Sequence, residues 1–159
     1  QNLLLDSPTR TDLNAREFFE ELCGRLEHGL GGGESHIRLE THVTDRPVTL
    51  DAAITLGLLV NELVSNAFKH AFDYDRLSPD SPGIISVGLQ QSGPDSILTV
   101  ADNGKGVENW EGDRLPQGGS GSAITRALTA QLSGSIKIES GNGTKSRICI
   151  PTERLEPAS

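Results

Sequence analysis

The segment 52–71 constrains the fold of this chain most, because its residues separate into two faces when they are placed on an α-helix. At about 100° per residue, the apolar side chains of this segment fall within one compact stripe. The stripe consists of Leu56, Val60, Leu63, Val64, Ala67 and Ala71. We therefore predict a helix that takes Asp51 as its N-cap, runs to about Phe72 and buries this stripe in a core.

A second arc of the same helix gathers four polar side chains beside Leu58 and Leu59. The arc holds Glu62, Asn66, Lys69 and His70. An acid can act as a base or orient water, an amide can give an oxygen to Mg²⁺, and Lys and His can meet phosphate oxygens. The two leucines would shield part of this arc from solvent. A solvated helix face with Glu-to-Lys pairing accounts for the same residues, so this helix alone leaves both interpretations open.

The composition argues against several classes of protein. The 159 residues carry a net charge of -8 without a block of Lys or Arg, which argues against a nucleic-acid partner. Cys23 and Cys149 lie far apart and outside any CxxC pair, which is typical of buried thiols in a reducing compartment. No apolar run reaches the roughly 18 residues that span a bilayer, and no signal peptide opens the chain. We expect one soluble, cytoplasmic domain cut from a longer protein, without direct membrane contact.

Hydrophobic periodicity predicts the remaining elements. Helices are predicted at 12–28, with Asp12 as N-cap, and from near Gly121 onward. The inner face of the latter helix would consist of Ile124, Ala127, Leu128, Gln131 and Leu132. Strands are predicted at 37–43, 84–89, 97–101, 136–139 and 146–150. This order favours an α+β two-layer sandwich, in which three helices cover one face of a mixed, mostly antiparallel sheet of about five strands.

Asp102 follows the predicted strand 97–101 on the same face as Leu98 and Val100, so its carboxylate should point toward the core. A core-facing carboxylate needs a hydrogen-bond donor, and the exocyclic amine of an adenine would serve. Gly104 and Gly106 follow at once and would allow a flat ring to approach the backbone closely. An aspartate that caps a tight Asp-Asn-Gly turn is the simpler alternative.

A glycine-rich loop at 118–122 leads into the third predicted helix. Free amides and the helix dipole favour a bound anion at such a position, although a flexible linker has the same composition. The loop is not a Walker A loop, because no Gly-Lys-Ser/Thr sequence follows it.

Taken together, these segments resemble the ATP-binding catalytic domain of two-component sensor histidine kinases, in particular the HWE-like subfamily. Residues 58–72 (LLVNELVSNAFKHAF) resemble the N box, and residues 102–106 (DNGKG) resemble the first glycine box. Residues 119–121 with 126–134 resemble the second glycine box and its helix, and Gly143-Thr144 resembles the closing Gly-Thr pair. The motifs stand in the family's order over 52–151, so the resemblance implies the Bergerat ATP-binding fold with ATP and Mg²⁺ as ligands.

The resemblance also implies roles for single residues on the phosphate side of the site. Asn66 would hold Mg²⁺, and Glu62 would polarise the water or hydroxyl side of the reaction. Lys69 and His70 would neutralise phosphate charge. The phosphates would be cradled by Gly119, Ser120 and Gly121, beneath a lid at 107–117 in which Trp110 is a packing residue.

On the base side, the resemblance implies that Asp102 accepts a hydrogen bond from adenine, with support from Thr144. Gly104 and Gly106 would line the base. The implied activity is that of a protein-histidine kinase, which transfers the γ-phosphoryl group of ATP to a histidine on an upstream dimerisation segment. A response regulator would act downstream, and the parent protein would be a homodimer.

We place the catalytic domain at 12–151, between a remnant of the preceding segment at 1–11 and a tail at 152–159. The remaining histidines, His28, His36 and His42, match no phosphoacceptor motif, so the acceptor histidine should lie upstream of this chain.

Two alternatives keep the same fold. Ser120 and Ser122 replace leucines that are usual in the second glycine box. The loss of these leucines favours a non-catalytic phosphotransfer or docking module. The intact Glu62, Asn66 and Asp102 favour an active kinase instead. The second alternative is an anti-sigma-factor serine kinase. The sequences at 69–72 (KHAF) and 131–134 (QLSG) argue against it, because they look more like those of sensor kinases.

Overall fold

The computed structural model describes residues 12–105 and 120–157. The helices are α1 (Ala15–Gly29), α2 (Gly32–Ser35), α3 (Leu50–His70) and α4 (Ser120–Gln131). The strands are β1 (Asp12–Asn14), β2 (Ile37–Val43), β3 (Pro47–Thr49), β4 (Gly83–Ser92), β5 (Asp95–Asp102), β6 (Ser135–Gly141) and β7 (Gly143–Pro151). Single 3₁₀ turns occupy Tyr74–Arg76 and Thr152–Arg154.

Five of the strands form one sheet in the order β2-β4-β5-β7-β6. The pair β2 and β4 is parallel, and the other three pairs are antiparallel. A parallel pair needs a long crossover, and α3 provides it between these two strands. The short strands β1 and β3 pair with each other in a separate two-stranded sheet. The predicted mixed, mostly antiparallel sheet of five strands is confirmed.

The core lies between the sheet and the helices α1, α3 and α4. Alternate residues of β4 and β5 are buried, as expected for a sheet with one covered face. The centre of α3 meets them with Leu56, Leu59, Val60 and Val64, each fully buried. This two-layer arrangement confirms the predicted fold class. Within the described parts of the chain, no helix combines the length and the apolar character that crossing a bilayer requires.

The predicted start of the first helix is wrong, because a short strand occupies the first three residues. Asp12 does not cap a helix, because residues 12–14 pair as β1 with β3. Asn14 is the N-cap instead, and its Oδ1 accepts from the backbone N of Glu17 at 3.0 Å. An asparagine at this position satisfies one of the free amides of the first turn, so the helix begins at Ala15.

The predicted bounds of the long helix also need correction. Thr49, not Asp51, is the N-cap of α3, and its Oγ1 accepts from the backbone N of Ala52 at 3.1 Å. Asp51 lies in the first turn, where a carboxylate interacts favourably with the helix dipole. The helix ends at His70, two residues before the predicted Phe72.

The inner face of α4 differs from the prediction. Leu128 and Leu132 are buried as predicted, but Ile124, Ala127 and Gln131 are exposed. Thr125 and Thr129 take their place in the core. The hydroxyl of Thr129 donates to the carbonyl of Thr125 at 2.7 Å. A threonine that bonds to the carbonyl four residues earlier satisfies its own hydroxyl, so it can be buried without a further partner.

Arg46 is a buried cation that the sequence did not single out. Its side chain is 9% exposed, and Nη1 donates to Oγ of Ser96 at 3.0 Å. The Ser96 hydroxyl in turn lies 2.8 Å from Oγ1 of Thr152. The other two guanidinium nitrogens, Nε and Nη2, have no hydrogen-bond partner among the described residues. Arg46 therefore ties the loop before β3 to β5 and to the end of β7.

Candidate functional site

The carboxylate of Asp102 lies at the end of β5, and its two oxygens have different hydrogen-bond environments. Oδ1 accepts from the backbone N of Gly104 at 2.9 Å and from the backbone N of Thr144 at 3.3 Å. No donor within residues 12–105 and 120–157 bonds to Oδ2. Burial raises the pKa of this carboxyl group, and the hydrogen bonds from the two amides oppose that rise. Asp102 thus caps its own turn with one oxygen and keeps the second oxygen available as an acceptor.

A cavity of about 250 Å³ opens beside this carboxylate. The end of β5 forms one wall, and the β6–β7 hairpin forms the other. The lining residues are Ala101, Asp102, Glu139, Ser140, Gly141, Asn142, Gly143, Thr144 and Lys145. The hairpin was predicted, but its contribution to the site beyond Thr144 was not. Its Gly-Asn-Gly sequence gave a signal for a tight turn only, because a turn sequence does not show what the hairpin contacts.

Gly143 sets the width between the hairpin and β5. Its φ is +101°, in the region that side chains disfavour. A Cβ at this position would lie 2.0 Å from the carbonyl oxygen of Asp102. At Gly141, two residues earlier, a Cβ would meet nothing within 4 Å. The close approach of Gly143 therefore places Thr144 within hydrogen-bonding distance of the carboxylate.

The turn after Asp102 rests on the C-terminal end of α3. A Cβ on Gly104 would lie 2.1 Å from the carbonyl oxygen of Ala71, so glycine is required for this contact. The same carbonyl accepts from the backbone N of Lys105 at 2.8 Å. Asn103 fixes the other side, because its Oδ1 accepts from the backbone N of Ile84 at 2.7 Å. The carboxylate is thus held between the start of β4 and the end of α3.

The polar arc of α3 leads toward this turn. Glu62 and Asn66 are partly buried, whereas Lys69 and His70 are exposed in the last turn of the helix. None of the ion pairs within the described residues includes Glu62 or Lys69, so the arc is not held by Glu-to-Lys pairing there. His70 directly precedes Ala71, whose carbonyl anchors the turn of Asp102.

The two leucines predicted to shield the arc behave differently. Leu59 is fully buried in the core, and Leu58 is 49% exposed. Glu62 and Asn66 are partly buried, in agreement with an arc that is partly shielded, although Leu58 itself is open to solvent. Leu59 belongs to the buried stripe of α3, which is wider than predicted and also includes Phe68.

The structure brings together part of the predicted site. Asp102, Gly104 and Thr144 meet at one end of α3, and Asn66 lies on the same helix but does not line the cavity. Ser120 and Gly121 are the first residues of α4, which packs against α3. Gly106, Gly119, Trp110 and the predicted lid at 107–117 lie outside the described residues.

Comparison with known proteins places this geometry in a family context. Residues 51–154 match the family described as histidine kinase-, DNA gyrase B-, and HSP90-like ATPase. Blue-light-activated histidine kinase 2 of Erythrobacter litoralis is 31% identical over 136 residues, which are 84% of this chain and 37% of that protein. Anti-sigma F factor of Anoxybacillus flavithermus is 29% identical over 82 residues, which are 52% of this chain and 53% of that protein.

A solved structure has a similar fold. The histidine kinase domain of the Erythrobacter litoralis EL346 blue-light activated histidine kinase superimposes with a TM-score of 0.74 at 27% identity. The match covers 89% of this chain and 63% of that one. The chain therefore spans less than two thirds of the length of each of these relatives.

Proposed function

Because this chain belongs to the histidine kinase-, DNA gyrase B- and HSP90-like ATPase family, we propose that it is the ATP-binding catalytic domain of a sensor histidine kinase. ATP supplies a γ-phosphoryl group, and the acceptor is a histidine nitrogen on an upstream dimerisation segment. A response regulator acts downstream in a cytoplasmic two-component system, and the parent protein is a homodimer. The domain extends over residues 12–151, between the preceding segment at 1–11 and the tail at 152–159.

One observation carries the proposal: Asp102 uses Oδ1 within the chain and leaves Oδ2 without a donor from the described residues, beside a cavity of about 250 Å³. A carboxylate oxygen that opens on a cavity can accept a further hydrogen bond from a ligand that offers a donor there. The exocyclic amine of adenine is such a donor. Thr144 supports this role, since its amide holds Oδ1 and so orients the carboxylate. Gly104 and Gly106 line the base.

The phosphate end of the site is assigned to the polar arc of α3. The amide oxygen of Asn66 would hold Mg²⁺, which prefers oxygen ligands and would supply positive charge beside the phosphates. Glu62 stands one turn earlier on the same side of the helix, where it polarises the attacking group. Lys69 and His70 are exposed and can reach the outer phosphates. Ser120 and Gly121 offer backbone amides at the start of α4, where the helix dipole favours anions, and Gly119, which precedes them in the chain, is assigned to the same phosphate end.

This assignment reconciles a net charge of -8 with an anionic ligand. The overall field of the protein repels ATP, so the neutralising charge must be local. Lys69, His70 and the metal provide that charge at one end of α3. The base end needs none, because a hydrogen bond to Asp102 joins it to the chain.

The test is a titration of the purified chain with a fluorescent ATP analogue, with and without Mg²⁺. Asp102→Asn should weaken binding roughly ten- to a hundred-fold, since an unmade hydrogen bond to a buried group costs about 1–3 kcal/mol. Asp95→Asn, at the other end of β5, is the matched control and should bind normally. Asn66→Ala should remove the Mg²⁺ dependence, whereas Asn61→Ala, on the same helix but off the arc, should keep it.

Failure of the unchanged chain to bind nucleotide at millimolar concentration would overturn the kinase proposal in favour of the non-catalytic docking module. The similarity to anti-sigma F factor favours a serine kinase as the second candidate. Acid treatment of the phosphorylated acceptor protein distinguishes the two activities, because phosphohistidine is hydrolysed in acid and phosphoserine is stable.

A further inference from the structure

An exposed apolar row runs along the N-terminal half of α3. Five large apolar side chains among the described residues are markedly exposed, namely Leu50 (42%), Ile54 (50%), Leu58 (49%), Tyr74 (43%) and Ile124 (41%). Single exposed apolar residues are ordinary, and Tyr74 and Ile124 belong to other elements. The other three are spaced four residues apart on one helix, so they are neighbours on its surface. Together they form a continuous patch, which we call the apolar row.

The row continues into the predicted nucleotide site. Further steps of four residues from Leu58 lead to Glu62, Asn66 and His70. Because each such step also turns about 40° around the helix axis, the positions wind along α3 from the apolar row to the polar arc. A segment that covers the apolar row ends about one turn, roughly 6 Å, from Glu62.

The path of the chain identifies what covers the row. Strand β1 pairs antiparallel with β3, with Asp12 opposite Thr49 and Asn14 opposite Pro47. Because Leu50 follows Thr49 and begins α3, Asp12 at the start of β1 lies beside the first residue of the row.

Length and composition agree with this placement. Of the residues outside 12–105 and 120–157, only Leu3-Leu4-Leu5 forms a run of large apolar side chains. Seven residue steps separate Leu5 from Asp12, and at about 3.3 Å per residue they reach up to roughly 23 Å. The row from Leu50 to Leu58 is about 12 Å long at a rise of 1.5 Å per residue. The three leucines can therefore reach every residue of the row.

We propose that the apolar row is the docking surface for the N-terminal segment of this chain, with Leu3, Leu4 and Leu5 packed across Leu50, Ile54 and Leu58. Burial of these six side chains removes a patch that is otherwise open to solvent. The docked segment joins whatever precedes this domain to the helix that carries Glu62 and Asn66. This inference rests on the exposed row and the strand register, and it holds whether or not the chain binds nucleotide.

Paramagnetic broadening in the whole chain tests the proposal. A nitroxide is attached at residue 2 through Asn2→Cys, in a Cys149→Ser background, while Cys23 stays buried and unlabelled. The amide signals of Ile54 and Leu58 should lose more than half of their intensity. Lys137, exposed on the far edge strand β6, should keep its intensity.

Replacing Leu3, Leu4 and Leu5 together by serine should restore the signals of Ile54 and Leu58. Ile54→Ser should weaken the broadening at Leu58, whereas the matched Ile124→Ser, at similar exposure on α4, should leave it unchanged. Intact signals in the labelled chain, or broadening that survives the triple substitution, would overturn the proposal. So would broadening in a mixture of labelled and isotope-enriched copies, because the occupant would then be a second copy of the chain.

Discussion

The backbone amide of Thr144 lies 3.3 Å from Oδ1 of Asp102, although 42 positions separate the two residues in the chain. This contact joins the β6–β7 hairpin to the end of β5 and orients the carboxylate from one side. The same oxygen accepts from Gly104, so the local turn and the distant strand act on a single atom. The carboxylate of a residue that lines the cavity is consequently held in one orientation.

The stability of the fold should depend on pH through Asp102. Burial raises the pKa of this carboxyl group, so the folded chain holds the proton more tightly than the unfolded chain. Its contribution to stability is therefore greatest at low pH and falls as the pH rises from the ordinary carboxyl pKa through the raised one. Asp102→Asn lacks this titration, so it should gain stability relative to the unchanged chain as the pH rises above about 4, the ordinary pKa of an aspartate.

Urea unfolding of both chains across that range measures the difference. Asp95→Asn, which removes one carboxylate at the opposite end of β5, serves as the control. A constant difference between Asp102→Asn and the unchanged chain at every pH would show that the carboxyl group titrates alike in both states.

Gly143→Ala should destabilise the fold and weaken nucleotide binding together. The added Cβ would lie 2.0 Å from the Asp102 carbonyl oxygen, and φ is +101° there, so the hairpin must move away from β5. Overpacking of this kind costs about 1–3 kcal/mol, and the movement also breaks the Thr144 contact. Gly141→Ala should stay within about 0.5 kcal/mol of the unchanged chain, because its Cβ meets nothing within 4 Å. Thermal unfolding with the nucleotide titration checks both; equal effects of the two changes would contradict the role given to Gly143.

Arg46→Met should keep or raise the stability of the domain. Arg46 is 9% exposed, and two of its three guanidinium nitrogens lack partners among the described residues. Exchange of an incompletely paired buried charge for an apolar side chain of similar length is often neutral or stabilising by about 1–4 kcal/mol. Arg46→Ala removes the same charge but leaves a cavity, so it should be less stable than Arg46→Met. Denaturant unfolding of the two variants measures the order, and a large loss in Arg46→Met would reveal a partner for the charge.

Cys23 should resist alkylation in the folded chain. Burial, with a smaller contribution from the charge of Glu27, raises the pKa of this thiol to about 12. Because only the thiolate reacts, the native chain should be modified at Cys23 only after unfolding. Mass spectrometry after iodoacetamide treatment near pH 8, with and without urea, detects the difference. Rapid labelling of Cys23 without urea would show that the region around α1 opens readily.

The parts of the fold that the sequence predicted are those with long periodic signals. The buried stripe of α3, the alternation in β2 and the hairpin were all recognisable, because each repeats a pattern over many residues. The elements β1, α2 and β3 were missed, since three or four residues carry too little periodicity to detect. The missing β1 also explains the wrong cap at Asp12.

Part of the candidate site was also predictable from the sequence, and part was not. Asp102, Gly104 and Thr144 could be proposed from motif spacing, and the structure does bring them together. In the sequence, a turn-capping Asp102 and a ligand-binding Asp102 were alternatives. Only the structure shows that one carboxylate oxygen caps the turn while the described residues leave the other without a donor. The buried Thr129 was missed for a related reason, since its hydrogen bond to the carbonyl of Thr125 offsets a polarity that had argued for exposure.

The contact between Gly104 and Ala71 has a consequence for how such domains can diverge. The turn at Gly104 and the helix α4 are both anchored on α3. A side chain at position 104 would place its Cβ 2.1 Å from the carbonyl oxygen of Ala71, so it could be accommodated only if the turn or the helix moved. Divergence at position 104 would therefore have to be accompanied by a shift of α3 itself.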